Sequence, residues 1–524
     1  MKKKKDEGYT TITPDEMGAL DENCKFFGLI PLQLMENAGV SIASEIKKRF
    51  SGLKSTLTIT ILAGTGNNGG DAFVAARHLD LQWCDVKILL LGRSNDLRTE
   101  EATRNWRILN ECGYATEELV DSSSVKAAAV SARLNASDVI IDALLGTGIS
   151  GKIREPERTG IDMINAAKRD SNAFVLAVDV PSGLNADTGE AERAVKADLT
   201  VTFHKAKRGL LKEIAAEYVG ELRVADIGIP RGMEKLAGPG DLRLVVKRNA
   251  RSHKGDNGRV LIVGGGPFFG APTLTALAAL RAGADWVTIA APRGVSSIVS
   301  SFSPNLIVLP LSSEILVEKD VPVIVESIKK HDVVVIGMGL GTEEETKRAV
   351  RAIINDTASK KVVVDADGLY GLQVPMPVPV EWEEKHIIAT PHAGELSKLG
   401  IMDISRVKNI VTVMKGPVDI ISDSTGTSTR VKINRTGNAG MTVGGTGDVL
   451  AGLVGAFFAI SSDPFKAATA AAFVNGIAGD RAFDEKGYGL LATDVIEAIP
   501  RVIREYVDGI CISQKSTKIP KTEF

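Results

Sequence analysis

Gly444, Gly445, Thr446, Gly447 and Asp448 run directly into the apolar stretch 449–460 and carry the sharpest chemical signal in the chain. A glycine turn entering a helix presents free backbone N–H groups and the positive end of the helix dipole, a combination that holds an anion. A carboxylate beside that anion can take a proton from an attacking hydroxyl, so the segment suits phosphoryl transfer to an alcohol with Asp448 as base. The pattern GxxxxGK[ST] is absent, which disfavours a P-loop nucleotidase. In the same half, Gly264 to Gly266, Gly337, Gly339 and Gly341 follow β-branched runs, Thr390-Pro391-His392-Ala393-Gly394-Glu395 follows another, and Lys415-Gly416 a fourth. The six histidines are scattered without helical pairing, so His392 is a polar contact or acid/base candidate and not an evident zinc ligand.

The first half has its own constellation. Gly64, Gly66 and Gly69 have the spacing of a dinucleotide-binding turn. The next strand, however, ends in Gly92-Arg93 where a ribose-binding acid belongs, which weakens a dehydrogenase reading. Asn67, Asn68 and Asp71 add side-chain oxygens that suit a cation or a polar substrate as well as a phosphate. Asp142 and Asp179 end two further β-branched runs, with Ser182 just beyond the second and Lys205 near a fourth strand tip. A buried acid at such a tip needs a partner, which a bound cation or a substrate proton would supply. Gly146, Thr147, Gly148, Ile149, Ser150, Gly151 and Lys152 form a second glycine loop after Asp142.

The elements that must position these residues recur as short buried runs separated by amphipathic stretches, the pattern of parallel α/β units. The first series is 57–63, 86–91, 138–142, 174–180 and 199–203, and the second is 259–264, 286–290, 332–337, 361–365 and 386–389. A Pro- and Gly-rich stretch, 230–241, separates them and divides the chain into domains 1–236 and 237–524. Helices are expected over 31–50, 342–354, 447–460 and 464–483. Ligands of doubly wound sheets sit beyond the carboxyl ends of the strands, so motifs at those ends carry the functional information.

Composition sets bounds. The 63 Lys and Arg against 65 Asp and Glu leave a net charge of −2, so bulk charge recruits neither nucleic acid nor an anionic membrane. Cys24, Cys84, Cys112 and Cys511 form no CxxC and fit a reducing cytoplasm. The longest apolar run falls short of the ~20 residues of a spanning helix, and the charged start lacks the apolar stretch of a signal peptide.

With the 67–71 turn, the 142–152 loop, Asp179-Val-Pro-Ser-Gly183, Pro391-His-Ala-Gly-Glu395 and the 444–448 turn in this order, the chain resembles the bifunctional NAD(P)H-hydrate repair enzymes over nearly its full length. The resemblance implies an α/β fold of two domains, an N-terminal Rossmann-like αβα sandwich and a C-terminal ribokinase-like αβα sandwich. For the first it implies epimerase activity, with the hydrated nucleotide held by Asn67, Asn68, Gly69, Gly70 and Asp71, by the loop from Gly146 to Lys152, and by Asp179. A potassium ion would sit at Asn68, Asp142 and Ser182. For the second it implies ADP-dependent dehydration of the S hydrate, with substrate at Ala271, Gly339, His392 and Asp448. Nucleotide contacts would run through Lys415, Gly416, Pro417, Val418 and Asp419 and at Gly447, with Mg2+ alongside. Asp179 is the candidate epimerase acid/base. Expected with these are NADHX, NADPHX and ADP as small-molecule partners, a homo-oligomer, a cytoplasmic setting, and neither nucleic acid nor membrane as partner. Met338 stands where relatives often have proline, and His204 where many have glycine. The competing readings are a ribokinase-like vitamin or sugar kinase fused to a nucleotide-binding module, and a non-catalytic scaffold. The scaffold predicts loss of the polar strand tips, yet Asn68, Asp142, Asp179 and Ser182 are all present.

Overall fold

The computed structural model describes residues 10–52, 56–79, 83–148, 152–249, 251–357, 361–372, 387–398, 410–423 and 429–508. Ile149, Ser150, Gly151 and Cys511 lie outside the described residues. Two compact units divide between Arg231 and Gly232, five residues ahead of the expected 236/237 boundary. Leu236 bridges to Ile433 and the Ala237 N–H donates to the Ile433 carbonyl at 2.9 Å, which ties this stretch to the second unit's sheet.

The first unit is built on seven strands in the order Ala115–Leu119, Cys84–Leu91, Leu57–Ala63, Val139–Ala143, Phe174–Val178, Leu199–Phe203 and Glu221–Ala225, all parallel. The central strands are buried, and read as continuous apolar runs because helices cover both faces of a parallel sheet. Strand order reverses between Leu57–Ala63 and Val139–Ala143, so the loops after these two strands flank the switch-point crevice. They meet closely: a Cβ on Gly64 would lie 2.0 Å from the Leu144 carbonyl oxygen. Ahead of the sheet, Thr11–Ile12 pairs in parallel with Ala206–Lys207, and helix Pro14–Phe26 follows, capped reciprocally by Thr13 and Glu16.

The second unit holds nine strands. Seven run parallel in the order Ile307–Pro310, Trp286–Ala291, Arg259–Val263, Val333–Ile336, Lys361–Val364, Ile387–Ala389 and Ile410–Met414, and the antiparallel pair Asp419–Asp423 and Arg430–Asn434 closes one edge. Helix Thr446–Ile460 packs on Gly270–Ala282 so tightly that a Cβ on Gly452 would meet the Thr275 carbonyl oxygen at 2.2 Å. Both units are therefore α/β sandwiches, as expected. Ala115–Leu119, Glu221–Ala225, Ile307–Pro310, Asp419–Asp423 and Arg430–Asn434 go beyond the expected strands. They lie at or next to sheet edges, and the part-exposed, charge-bearing faces of most of them dilute the apolar signal. Among the described residues no helix is long and apolar enough to cross a membrane.

Candidate active sites

At the switch point of the first unit a cleft of about 1000 Å3 opens beyond the strand ends. Asn67, Asn68 and Asp71, from the start of helix Asn67–His78, line it together with Gly146, Thr147, Gly148, Lys152 and Asp179. Gly69 and Gly70, expected to touch substrate, are buried and do not line it. A Cβ on Gly69 would sit 2.1 Å from the Gly64 carbonyl oxygen, so this glycine lets the turn close upon itself.

Beneath the cleft, Asp142, Ser182 and Asn68 form one knot. The Ser182 N–H donates to Asp142 Oδ2 at 2.8 Å, the Ser182 hydroxyl donates to Oδ1, and the Leu145 N–H donates to that hydroxyl at 2.9 Å. The Asn68 amide donates to the carbonyls of Val178 at 2.9 Å and Leu145 at 3.3 Å. Burial pushes the Asp142 carboxyl up to about 6, against the hydrogen bonds of Ser182 and Leu144. The partner expected from outside is thus supplied in part by the chain itself. A carboxylate, a hydroxyl, two carbonyls and an amide that can present its own oxygen are also hard ligands, and the set fits a monovalent cation.

Asp179 sits one step beyond its strand in the left-handed region, φ +63°, a conformation that costs a non-glycine residue about 1–3 kcal/mol and clusters at functional sites. Its Oδ1 accepts from the Thr202 hydroxyl at 2.9 Å, from the Phe203 N–H at 3.4 Å and from the Lys207 ammonium. The ammonium bonded to Asp179 is that of Lys207, two positions beyond the Lys205 noted in the sequence. A tight reversal with His204 at φ +62° turns the chain after Phe203, and pairing with Thr11–Ile12 then sets Lys207 beneath the strand tip, 1% exposed. Two more carboxyls face this group. Burial pushes Asp21 up to about 7, with Lys207 pulling the other way and Asp179 and Glu22 adding to the rise. Burial and then Asp179 and Asp21 raise Asp71 well above the usual carboxylate range. The sequence reading missed Asp21 and Lys207: one lies on an ordinary-looking helix, the other outside any motif.

In the second unit, Gly445 at φ +99° opens helix Thr446–Ile460, and Asp448 lies in its first turn. The N-cap glycine offers no side chain to this helix, and among the described residues no side-chain cap bonds its first N–H groups. Lys415 reaches the same point: a Cβ on Gly447 would lie 3.5 Å from its Nζ. Lys415 Nζ is 2.8 Å from Asp365 Oδ1 and 3.8 Å from Glu395 Oε2, while the Thr390 hydroxyl donates to Asp365 at 2.7 Å. Burial lowers the Lys415 ammonium, but Asp365, Glu395 and Asp448 outweigh it and hold the group above its ordinary value. Burial also pushes Asp448 up to about 7; Asp365 adds to this, Lys415 opposes it, and Asp367 and Glu395 add further. A carboxylate poised there is a competent base near neutral pH.

The remaining expected residues follow strands of the same sheet. Gly339, at φ +69°, lies against Phe268, whose carbonyl oxygen a Cβ would meet at 2.0 Å, and Ala271 starts the adjoining helix. His392 and Lys415 bridge neighbouring strand ends. His392 is exposed; its Nδ1 accepts from the Gly394 N–H at 3.0 Å, and its Nε2 lies 3.6 Å from Glu395 Oε1. Gly416, Pro417 and Val418 form an exposed hairpin turn, with the Gly416 N–H donating to Asp419 at 3.2 Å. Asp419 itself is raised by burial and bonded by Asn434 at 3.0 Å. Asp365, Asp367 and Glu395 were not singled out, although Asp365 ends a strand as Asp142 does. Among the described residues no group of three or more His, Cys, Asp and Glu side chains could hold a metal ion.

The fold and these two acid-bearing clusters at strand ends define an enzyme with two α/β active sites. Residues 260–501 match the family described as NAD(P)H-hydrate dehydratase, and residues 31–209 match the family described as YjeF-related protein N-terminus. The bifunctional NAD(P)H-hydrate repair enzyme Nnr of Archaeoglobus fulgidus is 47% identical over 496 residues, 94% of this chain and 98% of that protein. Proteins of the same name from Pyrobaculum aerophilum and Methanothermobacter thermautotrophicus are 43% and 41% identical, covering 95% and 94% of this chain and 98% and 95% of their own lengths. The chain belongs to the bifunctional NAD(P)H-hydrate repair enzymes.

Proposed function

We propose that the chain restores hydrated NADH and NADPH: the first unit interconverts the R and S hydrates, and the second dehydrates the S hydrate with ADP, releasing AMP and phosphate. Hydration places a hydroxyl on a carbon next to the ring nitrogen, and hydroxide leaves poorly. In the second unit Asp448 takes the proton of that hydroxyl as its oxygen attacks the terminal phosphoryl of ADP. The helix N-terminus and Lys415 stabilise charge on the moving group. The O–P bond forms as the bond to AMP breaks. Phosphate then departs from carbon, driven by the ring nitrogen's electron pair, and loss of a neighbouring proton restores the dihydronicotinamide. His392, Gly339 and Ala271 would contact the hydrate, and the 415–419 turn with Gly447 the nucleotide. Mg2+ bound with the nucleotide would neutralise phosphate charge.

In the first unit, protonation of the hydroxyl lets it leave as water while the nitrogen lone pair forms a C=N bond. Water returns to the opposite face and Asp179 takes its proton. Only one epimer fits a chiral dehydration site, hence the need for this activity. Asn68, Asp142 and Ser182 would hold K+, which supplies fixed positive charge near the nucleotide's phosphates. The free thiols of Cys24 and Cys112 support a cytoplasmic setting.

The observation that carries the reading is Asp448, raised to about 7, in the first turn of an open helix N-terminus beside Lys415. Incubating purified chain with ADP and hydrated NADH should restore dihydronicotinamide absorbance and yield AMP. A stable phosphorylated hydrate would instead identify a kinase.

A further inference from the structure

Asp179 carries the epimerisation in the reading above, but a base of this kind must be held ionised and aimed, and the aspartate alone does neither. Its backbone is in the left-handed region, tied by its own N–H to the Val201 carbonyl at 2.8 Å. The Thr202 hydroxyl, the Phe203 N–H and the Lys207 ammonium all converge on Oδ1, and among the described residues no hydrogen bond falls on Oδ2. Asp179 lines the cleft, and its side chain keeps 12% exposure while that of Lys207 keeps 1%.

We propose that Lys207 is a positioning residue of the epimerisation: its ammonium anchors one carboxylate oxygen of Asp179 so that the other faces the cleft as proton acceptor. This rests on the epimerisation reading and deepens it. A buried ammonium is tolerated only if paired, and Lys207 has Asp179 together with the Thr202 hydroxyl at 3.1 Å and the Phe203 carbonyl at 3.3 Å. The pairing is built deliberately by the fold: Lys207 occupies one of two positions hydrogen-bonded to Thr11–Ile12, the strand that also leads into the helix bearing Asp21. The groups facing Asp179 are thus Lys207, Asp71 and Asp21, with Glu22 behind Asp21. Among the described residues, Lys207 is the cation bonded to Asp179. Its ammonium opposes the like charges gathered around Asp179, while burial raises Asp71 well above the usual carboxylate range, so that Asp71 can carry a proton to the departing hydroxyl. When water adds to the opposite face its proton goes to Asp179 Oδ2, and transfer back to Asp71 closes the cycle with no net change in atoms or charge.

The test uses the full chain as wild type, Lys207→Met, Lys207→Arg and Thr202→Val, with the R and S hydrates of NADH separated by chromatography from about pH 5 to 9. Dehydration of the S hydrate by the second unit serves as the control in every variant. Lys207→Met should lower epimerisation kcat by about 100-fold with KM little changed. It should also move the acidic limb of the kcat profile upward by one unit or more, because loss of an opposite charge weakens the ionised base. Lys207→Arg should recover much of both. Thr202→Val, which removes a second donor to Oδ1 and leaves the lysine in place, should move the limb the same way by less. An unchanged kcat and pH profile in both Lys207→Met and Thr202→Val, with wild type active, overturns the proposal. So does a Lys207→Met loss of rate with no movement of the limb. If the wild type itself fails to interconvert the epimers, the epimerisation reading is what has failed.

Discussion

Replacing Asp448 by asparagine should abolish dehydration and, at alkaline pH, stabilise the fold. Burial first, and then Asp365, move this carboxyl from 3.8 to about 7 despite the opposing Lys415. The unfolded chain gives up the proton near the ordinary value, whereas the folded chain keeps it until about pH 7. Between those values the native state holds the extra proton, so stability falls as pH rises, and the full penalty stands above about pH 7. At roughly 1.4 kcal/mol per unit the penalty is about 4 kcal/mol at pH 8 and about 1.5 kcal/mol at pH 5. Asparagine has nearly the same shape and never ionises. The variant should therefore gain on wild type by about 2 to 3 kcal/mol more at pH 8 than at pH 5, read from the melting of the second unit in thermal scans at both values. Its dehydration rate should fall by about 10²–10⁴-fold, and the wild-type rate should drop about tenfold between pH 7.5 and 6 as the base is protonated. An asparagine variant that dehydrates at the wild-type rate would refute the assignment of the base. An equal stability difference at the two pH values would refute the buried, raised carboxyl.

Other outcomes follow from the same geometry. Exchanging K+ for a bulky organic cation should slow epimerisation and leave dehydration intact, and Ser182→Ala should raise the K+ concentration giving half-maximal epimerisation. Gly452→Ala should lower the melting temperature of the second unit, since a Cβ 2.2 Å from the Thr275 carbonyl forces two helices apart at about 1–3 kcal/mol. His392→Ala should raise KM for the S hydrate and change kcat only a few-fold, if its exposed ring contacts substrate as proposed and Asp448 moves the transferred proton.

Much of the site was legible because strand tips and glycine turns are local. The buried runs 57–63 and 199–203, the helix 31–50 and the switch from β-branched residues to glycine all appear in the sequence, since a parallel sheet covered on both faces demands continuous apolar strands. The edge strands did not, because half-exposed edges need no such run. Asn68, Asp71, Asp142, Asp179 and Asp448 stand at turns whose chemistry is visible in their neighbours. Gly69 also serves the close approach of its own turn, a need that leaves the same letter in the sequence as a phosphate-binding turn does.

What the sequence determined by itself is the repertoire: two α/β units, acids at strand ends, and a glycine turn opening a helix next to Asp448. Tertiary structure alone decided which charges answer those acids. Lys207 reaches Asp179 because a reversal at His204 and a two-residue strand against Thr11–Ile12 set it there, and Asp365 reaches Lys415 across 50 positions of sequence. A carboxyl's readiness to accept a proton depends on desolvation and on charges a few ångströms away. Those are properties of packing, and no spacing along the chain encodes them.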